Sequence, residues 1–342
     1  MINLQKTKKN NVLSGKRIDI NLSIFFSAHF MKRRPSQMDG ILPLLKPKGM
    51  TSHDCVFKLR KILKTKKVGH TGTLDPDVTG VLPICIGRAT KVAEYITEAG
   101  KSYEGEVTLG FSTTTEDASG EVVEERAIVE EFSRKQILDV LKDFTGIIRQ
   151  TPPMFSAVKI NGKKLYEYAR AGIEVERPSR EVTIDELTLL DDREVFTGER
   201  ISFRFRVSCS KGTYIRTLAV NIGEKLGYPA HMSNLIRTES AGFTLADCQT
   251  LDAVSELMEQ GKEAEFLQPI ERGLYHLPKY QINDTVAKKV LNGAVLPQPA
   301  DLTVQRGVPF VMVDLNEKAL AIYQLHPEKD QLIKPVKILE IG

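Results

Sequence analysis

The sequence predicts an α+β protein built on a mixed, largely antiparallel sheet. Three observations predict it. Residues Ile201–Cys209 alternate apolar and polar side chains without a break. Helix-like and strand-like stretches mix along the chain without strict β-α-β alternation. After Pro278 the texture changes to short β-like runs separated by polar turns.

The elements follow in order. Residues 1–37 resemble a leader, with basic residues and then an apolar stretch at 22–31. The stretch is short, broken by serine and His29, and no small-residue cleavage site follows it. The expectation is a disordered or spurious extension, with translation starting at Met38. No run approaches the roughly 18 apolar residues of a membrane span, so no membrane contact is expected.

Segment 51–63 reads as a helix: Val56, Leu59, Ile62 and Leu63 form its apolar stripe, and Thr51 with Asp54 forms a capping box. A second box, Ser133 with Gln136, opens a helix whose Ile137, Leu138, Val140 and Leu141 should face inward and which Gly146 stops. In the 201–209 strand, Ile201, Phe203, Phe205, Val207 and Cys209 share one face, and Arg204 and Arg206 the other. Segment 214–226 is a further helix, stopped by Gly227. The runs 309–314, 319–325 and 335–341 suggest a small β-barrel module. The 342 residues suit roughly two domains: a main domain over 38–277 and the module over 278–342.

Net charge is only +4, and its location matters more than its size. Residues 1–37 hold eight Lys/Arg against one acid, which leaves −3 for the remainder. Basicity is local. No acid occurs between Asp54 and Asp75, where Lys58, Arg60, Lys61, Lys64, Lys66 and Lys67 cluster. None occurs from Arg200 to Gly223, which carries Arg204, Arg206, Lys211 and Arg216. Acids concentrate in 116–131 and 247–271. Such polarity suits a polyanion on one face, or else an ordinary solvated surface.

Several chemistries drop out on spacing. Cys55, Cys85, Cys209 and Cys248 are scattered, without a C-x-x-C pair, as in a reduced, cytoplasmic protein. The six histidines form no metal-ligand pair, so no metal is expected. No phosphate-binding or dinucleotide glycine motif and no G-x-S-x-G occurs, so no cofactor is expected either. What remains is the loop Val68-Gly-His-Thr-Gly-Thr-Leu-Asp-Pro-Asp77. Gly69 and Gly72 permit conformations and close approaches that a β-carbon would block, and Pro76 restrains Asp75 in a turn.

With these residues in view, the chain resembles the TruB family, bacterial synthases that make pseudouridine at uridine 55 in the tRNA T-arm. The resemblance runs from Met38 to about Leu257. Lys46-Pro47-Lys48-Gly49-Met50-Thr51-Ser52 matches the opening motif, and Gly69-His70-Thr71-Gly72-Thr73-Leu74-Asp75-Pro76 the catalytic loop. Tyr103 stands at the active-site tyrosine, and Lys211-Gly212-Thr213-Tyr214-Ile215-Arg216-Thr217 matches the motif that supplies an arginine. Leu45 departs from the polar residue usual there.

The resemblance implies the pseudouridine synthase fold, a PUA-like RNA-binding tail, and an insertion at 150–180, with Lys163 and Lys164, that closes over the T-loop. It implies tRNA as partner, and the chain is expected to act as a monomer. Asp75 would attack C1′ or remove a proton from C2′; either role needs an ionised oxygen. Arg216 would hold it through a two-pronged pair. Tyr103 would stack on uracil and help remove the C5 proton. His70 would fill the space of the flipped base, or is a backbone-bonded loop histidine. Leu235 would wall the pocket or serve as core, and Lys46 would brace the loop or contact phosphate. The rival readings are a non-catalytic RNA-binding or tRNA-folding protein, and a synthase acting on another RNA.

Overall fold

The computed structural model describes residues 38–340, so the expectation for 1–37 and the end of the 335–341 run lie outside the described residues. Seven long strands lie in the order Gly40–Lys46, Thr79–Ile86, Ala230–Ser240, Lys101–Leu109, Ile201–Cys209, Arg180–Leu189, Gly146–Gln150; Val68–His70 and Phe243–Thr244 complete a nine-stranded sheet. Every pairing is antiparallel except Thr79–Ile86 with Ala230–Ser240. The sheet is therefore mixed and mostly antiparallel. In Ile201–Cys209 the five alternating apolar residues are buried and Arg204 and Arg206 exposed, as a period of two requires.

Helix Ser52–Ile62 starts at the Thr51/Asp54 capping box and buries Cys55, Val56 and Leu59. Helix Arg134–Asp143 starts at the Ser133/Gln136 box. Leu138 corrects the inward list for this helix. Ile137 and Leu141, four residues apart, define its buried stripe, and Leu138 lies roughly 100° round the axis and is exposed. Helix Ile215–Leu226 ends at Gly227.

The second acid-free stretch is corrected as well. Glu104, on the neighbouring strand, pairs with Arg204 at 3.3 Å and Arg206 at 2.7 Å, and Lys211 pairs with Glu98. Antiparallel pairing brings in acids from a hundred residues away, so a stretch free of acids in sequence is not free of them in space. Residues 58–67 differ: their six basic side chains are exposed, and none forms an ion pair among the described residues.

The tail forms a five-stranded sheet that includes Lys279–Gln281, Phe310–Val313, Ala319–Leu325 and Leu332–Ile338. Phe310 and Met312 face a core of their own with Val290, Tyr323 and Ile333, while Val311 and Val313 face Ile41, Val81 and Cys85 of the main sheet. Both faces are covered, which is why this strand reads as a continuous apolar run. The short first strand and the helix Asp284–Leu291 carried no such signal and were not expected.

Candidate active site

Asp75 lies in the loop joining Val68–His70 to Thr79–Ile86, two strands that pair with each other. On the same edge of Thr79–Ile86, Ala230–Ser240 takes up residues 79 and 80, and Val68–His70 takes up 84–86. The carbonyls left between are filled from the site. Val81 O accepts from Arg237 Nε at 2.7 Å, and Pro83 O from the Thr71 amide and hydroxyl at 3.1 and 3.0 Å. Gly72 holds φ near 100°, a conformation L side chains rarely adopt. Gly69 has no such constraint. It is an ordinary strand residue with open space at its Cβ position, which corrects the expectation for it.

Residues 46–52 brace this loop from below. Gly49 N donates to Pro76 O at 2.9 Å, Leu74 N to the Ser52 hydroxyl at 2.9 Å, and the Lys46 ammonium to Pro47 O at 2.8 Å and Pro76 O at 3.0 Å. Two motifs separated in sequence are one structure. Lys46 is fully buried, and burial holds its pKa below the usual lysine value. An ammonium turned onto loop carbonyls in this way does not reach a phosphate, which corrects that half of the expectation.

The Asp75 side chain retains 39 % exposure, and its Oδ2 lies 3.1 Å from Arg216 Nε. Desolvation raises its pKa above the ordinary carboxylate value, and the Arg216 charge pulls it back. The pair is not two-pronged. Nη1 of Arg216 donates to Thr115 O and Nη2 to Phe155 O, both at 2.9 Å, and Asp117 lies 3.8 Å from Nη1. The terminal nitrogens anchor the guanidinium to two carbonyls, and Nε makes the closest approach to Asp75. Gln150 pins the start of the Arg216 helix by bonding both backbone groups of Tyr214, at 3.0 and 3.2 Å.

Tyr103, Leu235 and Arg237 share one face of the sheet, since Tyr103 opposes Arg237 and Leu235 opposes Gly105. A β-carbon at Gly105 would lie 2.7 Å from Phe205 Cζ and 3.2 Å from a Leu235 methyl, so the glycine lets these two close over the strand. Tyr103 is buried, which pushes its hydroxyl above the usual pKa. His70 Nδ1 donates to Gly72 O at 3.1 Å, because a carbonyl can only accept; burial lowers its pKa and favours the neutral ring. Lys163 and Lys164 sit apart, on a short hairpin facing solvent, with Lys164 Nζ on the Tyr166 hydroxyl at 3.2 Å.

Sequence reasoning missed four side chains here. Glu116 accepts from the Thr217 hydroxyl at 2.7 Å beside Arg216, and Asp117 lies close by; the sequence shows both only as members of the acid-rich stretch 116–131. Lys101 is half-buried, desolvation lowering its pKa to about 8, with its ammonium on Thr97 and Ala99 carbonyls. Arg237 is fully buried. Nothing in its local pattern separates it from a surface arginine on a strand.

Residues 60–215 match the model of the TruB family pseudouridylate synthase N-terminal domain, and residues 216–275 the tRNA pseudouridylate synthase B C-terminal domain. A tRNA pseudouridine synthase B of Geobacillus thermodenitrificans is 60 % identical over 301 residues, 88 % of this chain and 99 % of that protein. The chain belongs to the TruB family. The Bacillus cereus tRNA pseudouridine synthase B is 59 % identical over 303 residues, covering 88 % and 97 %. The TruB-family fold extends to more distant proteins. The crystal structure of a Cbf5-Nop10-Gar1 complex matches 88 % of this chain and 85 % of its own, with 31 % identity and a TM-score of 0.68. The structure of an H/ACA RNP bound to a substrate RNA containing 2′-deoxyuridine matches at 28 % identity, with a TM-score of 0.66, covering 88 % and 85 %. As a member of a pseudouridylate synthase family the chain is an isomerase, with an α+β fold and a C-terminal β module. Among the described residues no helix is long and apolar enough to cross a membrane.

Proposed function

We propose that this enzyme converts uridine 55 in the T-arm of tRNA to pseudouridine, with Asp75 as the carboxylate acting on the ribose. One observation carries the reading: Asp75 Oδ2 stands 3.1 Å from an arginine whose other nitrogens are tied to backbone, at the open end of a braced loop. The tRNA substrate follows the names of the relatives at 60 % and 59 % identity.

The reaction breaks N1–C1′, turns the base over and joins C5 to C1′; C5 loses a proton and N1 gains one. Atoms and electrons balance, so no cofactor is required. Asp75 attacks C1′ or takes the C2′ proton, and Arg216 keeps it ionised for either role. Tyr103 stacks on the uracil and takes the C5 proton, while Leu235 walls the pocket. The neutral His70 ring fills the space of the flipped base. Lys46 holds the loop; Lys163, Lys164 and the 58–67 cluster contact phosphates. The four cysteines are free thiols, in keeping with the cytoplasm. We read the enzyme as acting as a monomer.

Release of tritium from [5-³H]uridine-labelled tRNA under single-turnover conditions tests the reading. Asp75→Asn should abolish release while filter binding persists, because backbone contacts dominate affinity. Release within about tenfold of wild type would exceed what loss of a catalytic carboxylate allows and would reject it. The H/ACA neighbour with its substrate RNA favours a second reading, action on another RNA. Equal rates on T-arm-mutated and intact tRNA would favour that reading.

A further inference from the structure

Arg237 is a fully buried charge near the site that the reaction as written does not use. Its side chain is 0 % exposed, the bulkiest among the fully buried ones. Nε caps Val81 O at 2.7 Å, an ordinary structural duty that one nitrogen suffices for. Nη2 has no acceptor among the described residues, and no carboxylate among them pairs with the guanidinium. A buried cation without a counter-ion is expensive and calls for an anion that forms nearby.

The groups around it identify that anion. Arg237 and Tyr103 project from directly opposed positions of neighbouring antiparallel strands, which sets the two side chains side by side on one face of the sheet. Gly72 of the catalytic loop closes the other side, with Nη1 3.9 Å from its Cβ position. Lys101, two residues before Tyr103, has its ammonium turned to the Thr97 and Ala99 carbonyls. The other charged or titratable groups around the phenol are Asp75 from the loop and Cys209 from the adjoining strand. An ionised Asp75 opposes a phenolate, whereas the Cys209 thiol, its pKa raised to about 11 by burial, is neutral at pH 7. Arg237 is thus the cation that stands beside Tyr103 with a nitrogen left unpartnered.

We infer that Arg237 is a positioning residue for proton removal at C5: its guanidinium fixes the Tyr103 hydroxyl and stabilises the phenolate that accepts the proton. Burial is the largest influence raising the Tyr103 pKa, and Arg237 is the leading influence in the opposite direction. In the step, the phenolate oxygen bonds the C5 proton, and the C5–H electron pair returns to the ring to restore the C5–C6 double bond. The phenol is left neutral, and its proton is lost to water before the next turnover. The proposal rests on the reading of Tyr103 as the C5 base.

The test compares Arg237→Met, Arg237→Lys, Tyr103→Phe and the Arg237→Met/Tyr103→Phe double variant. Each is assayed with uridine and 5-deuterouridine tRNA in single turnover, with thermal melts and filter binding alongside. Arg237→Met should fall about 10²-fold, the scale of general-base assistance, with RNA binding kept and a primary C5 isotope effect larger than that of wild type. It should cost nothing further in the Tyr103→Phe background. Arg237→Lys should recover part of the rate. If Arg237→Met does not fold, Arg237→Lys carries the test through its own isotope effect. A folded variant within about twofold of wild type, or one equally impaired with and without Tyr103 and showing no isotope effect, overturns the proposal. If Tyr103→Phe alone keeps the wild-type rate, it is the underlying reading of Tyr103 that fails.

Discussion

Asp75 is held in a compromise between surroundings that disfavour its charge and an arginine that favours it. Its folded pKa lies above the ordinary 3.8. A carboxylate with a raised folded pKa contributes stability that is present below the unfolded pKa and lost as pH rises through the folded one. At pH 7 the ionised side chain is therefore a net cost to folding. Asp75→Asn should raise the melting temperature at pH 7, with the gain shrinking toward pH 4, because Arg216 keeps Thr115 O, Phe155 O and Asp117. A lower melting temperature at pH 7 would mean that the pair is stabilising. The same balance sets the acid limb of the pH–rate profile. That limb should sit above the ordinary carboxylate range, and Arg216→Gln should push it further up, since the term removed is the one that lowers the pKa. Arg216→Lys should be milder, keeping charge while losing the anchors to two carbonyls. An acid limb unmoved by Arg216→Gln would show that Arg216 does not act on Asp75.

At the scale of elements, the site is a loop held against the edge of a sheet by the segment before the first helix. Lys46→Met separates holding from folding. The substitution leaves the Pro47 carbonyl without its donor, at about 1–3 kcal/mol for a buried polar group, while Pro76 O keeps the Gly49 amide, and it offsets the loss by no longer burying a charge. Turnover should fall at least about tenfold as Asp75 loses its fixed position, while the melting temperature changes little and tRNA binding is kept. A parallel loss of binding and turnover would place Lys46 on the RNA instead. How legible these elements were follows from the range of the forces involved. Capping boxes, the 201–209 alternation and the Gly227 stop are local, and the sequence shows them directly. The loop and its brace could be matched as motifs, but nothing in residues 46–52 says that they touch Pro76. Leu138, the Glu104 pairs and the acids beside Arg216 all depend on which strands become neighbours, and Arg237 earns its importance solely from facing Tyr103 across a strand pair. Such facts come into being with the register.

For the whole molecule, what matters is which basic residues still carry an outward field once the chain has folded. The sequence offers two acid-free stretches, and folding treats them differently. Arg204 and Arg206 are drawn onto Glu104, and Lys211 onto Glu98. Lys58, Lys61 and Lys64 remain exposed on the outer side of their helix, where Phe57, Arg60, Lys61, Lys64, Thr65 and Lys66 line a shallow hollow and the Lys61 ammonium sits 4.4 Å from the Phe57 ring centre. A polyanion gains by displacing its counterions onto unpaired cations, and gains little from cations that already have carboxylates. Each phosphate contact contributes a slope of roughly −0.7 to −0.9 in log affinity against log salt. Replacing Lys58, Lys61 and Lys64 together by Gln should flatten the slope for tRNA by about two units and leave single-turnover chemistry at saturating enzyme intact. Lys163→Gln with Lys164→Gln should flatten it by about one and a half. Arg204→Gln with Arg206→Gln should change it by less than about half a unit, because the departing charges were already balanced within the protein. Filter binding across a series of KCl concentrations measures all three slopes. If the Arg204 and Arg206 pair flattens the slope as much as the lysine triple, tRNA lies across that strand face and must break the Glu104 pairs to do so; if none moves it, the contacts come from basic residues elsewhere.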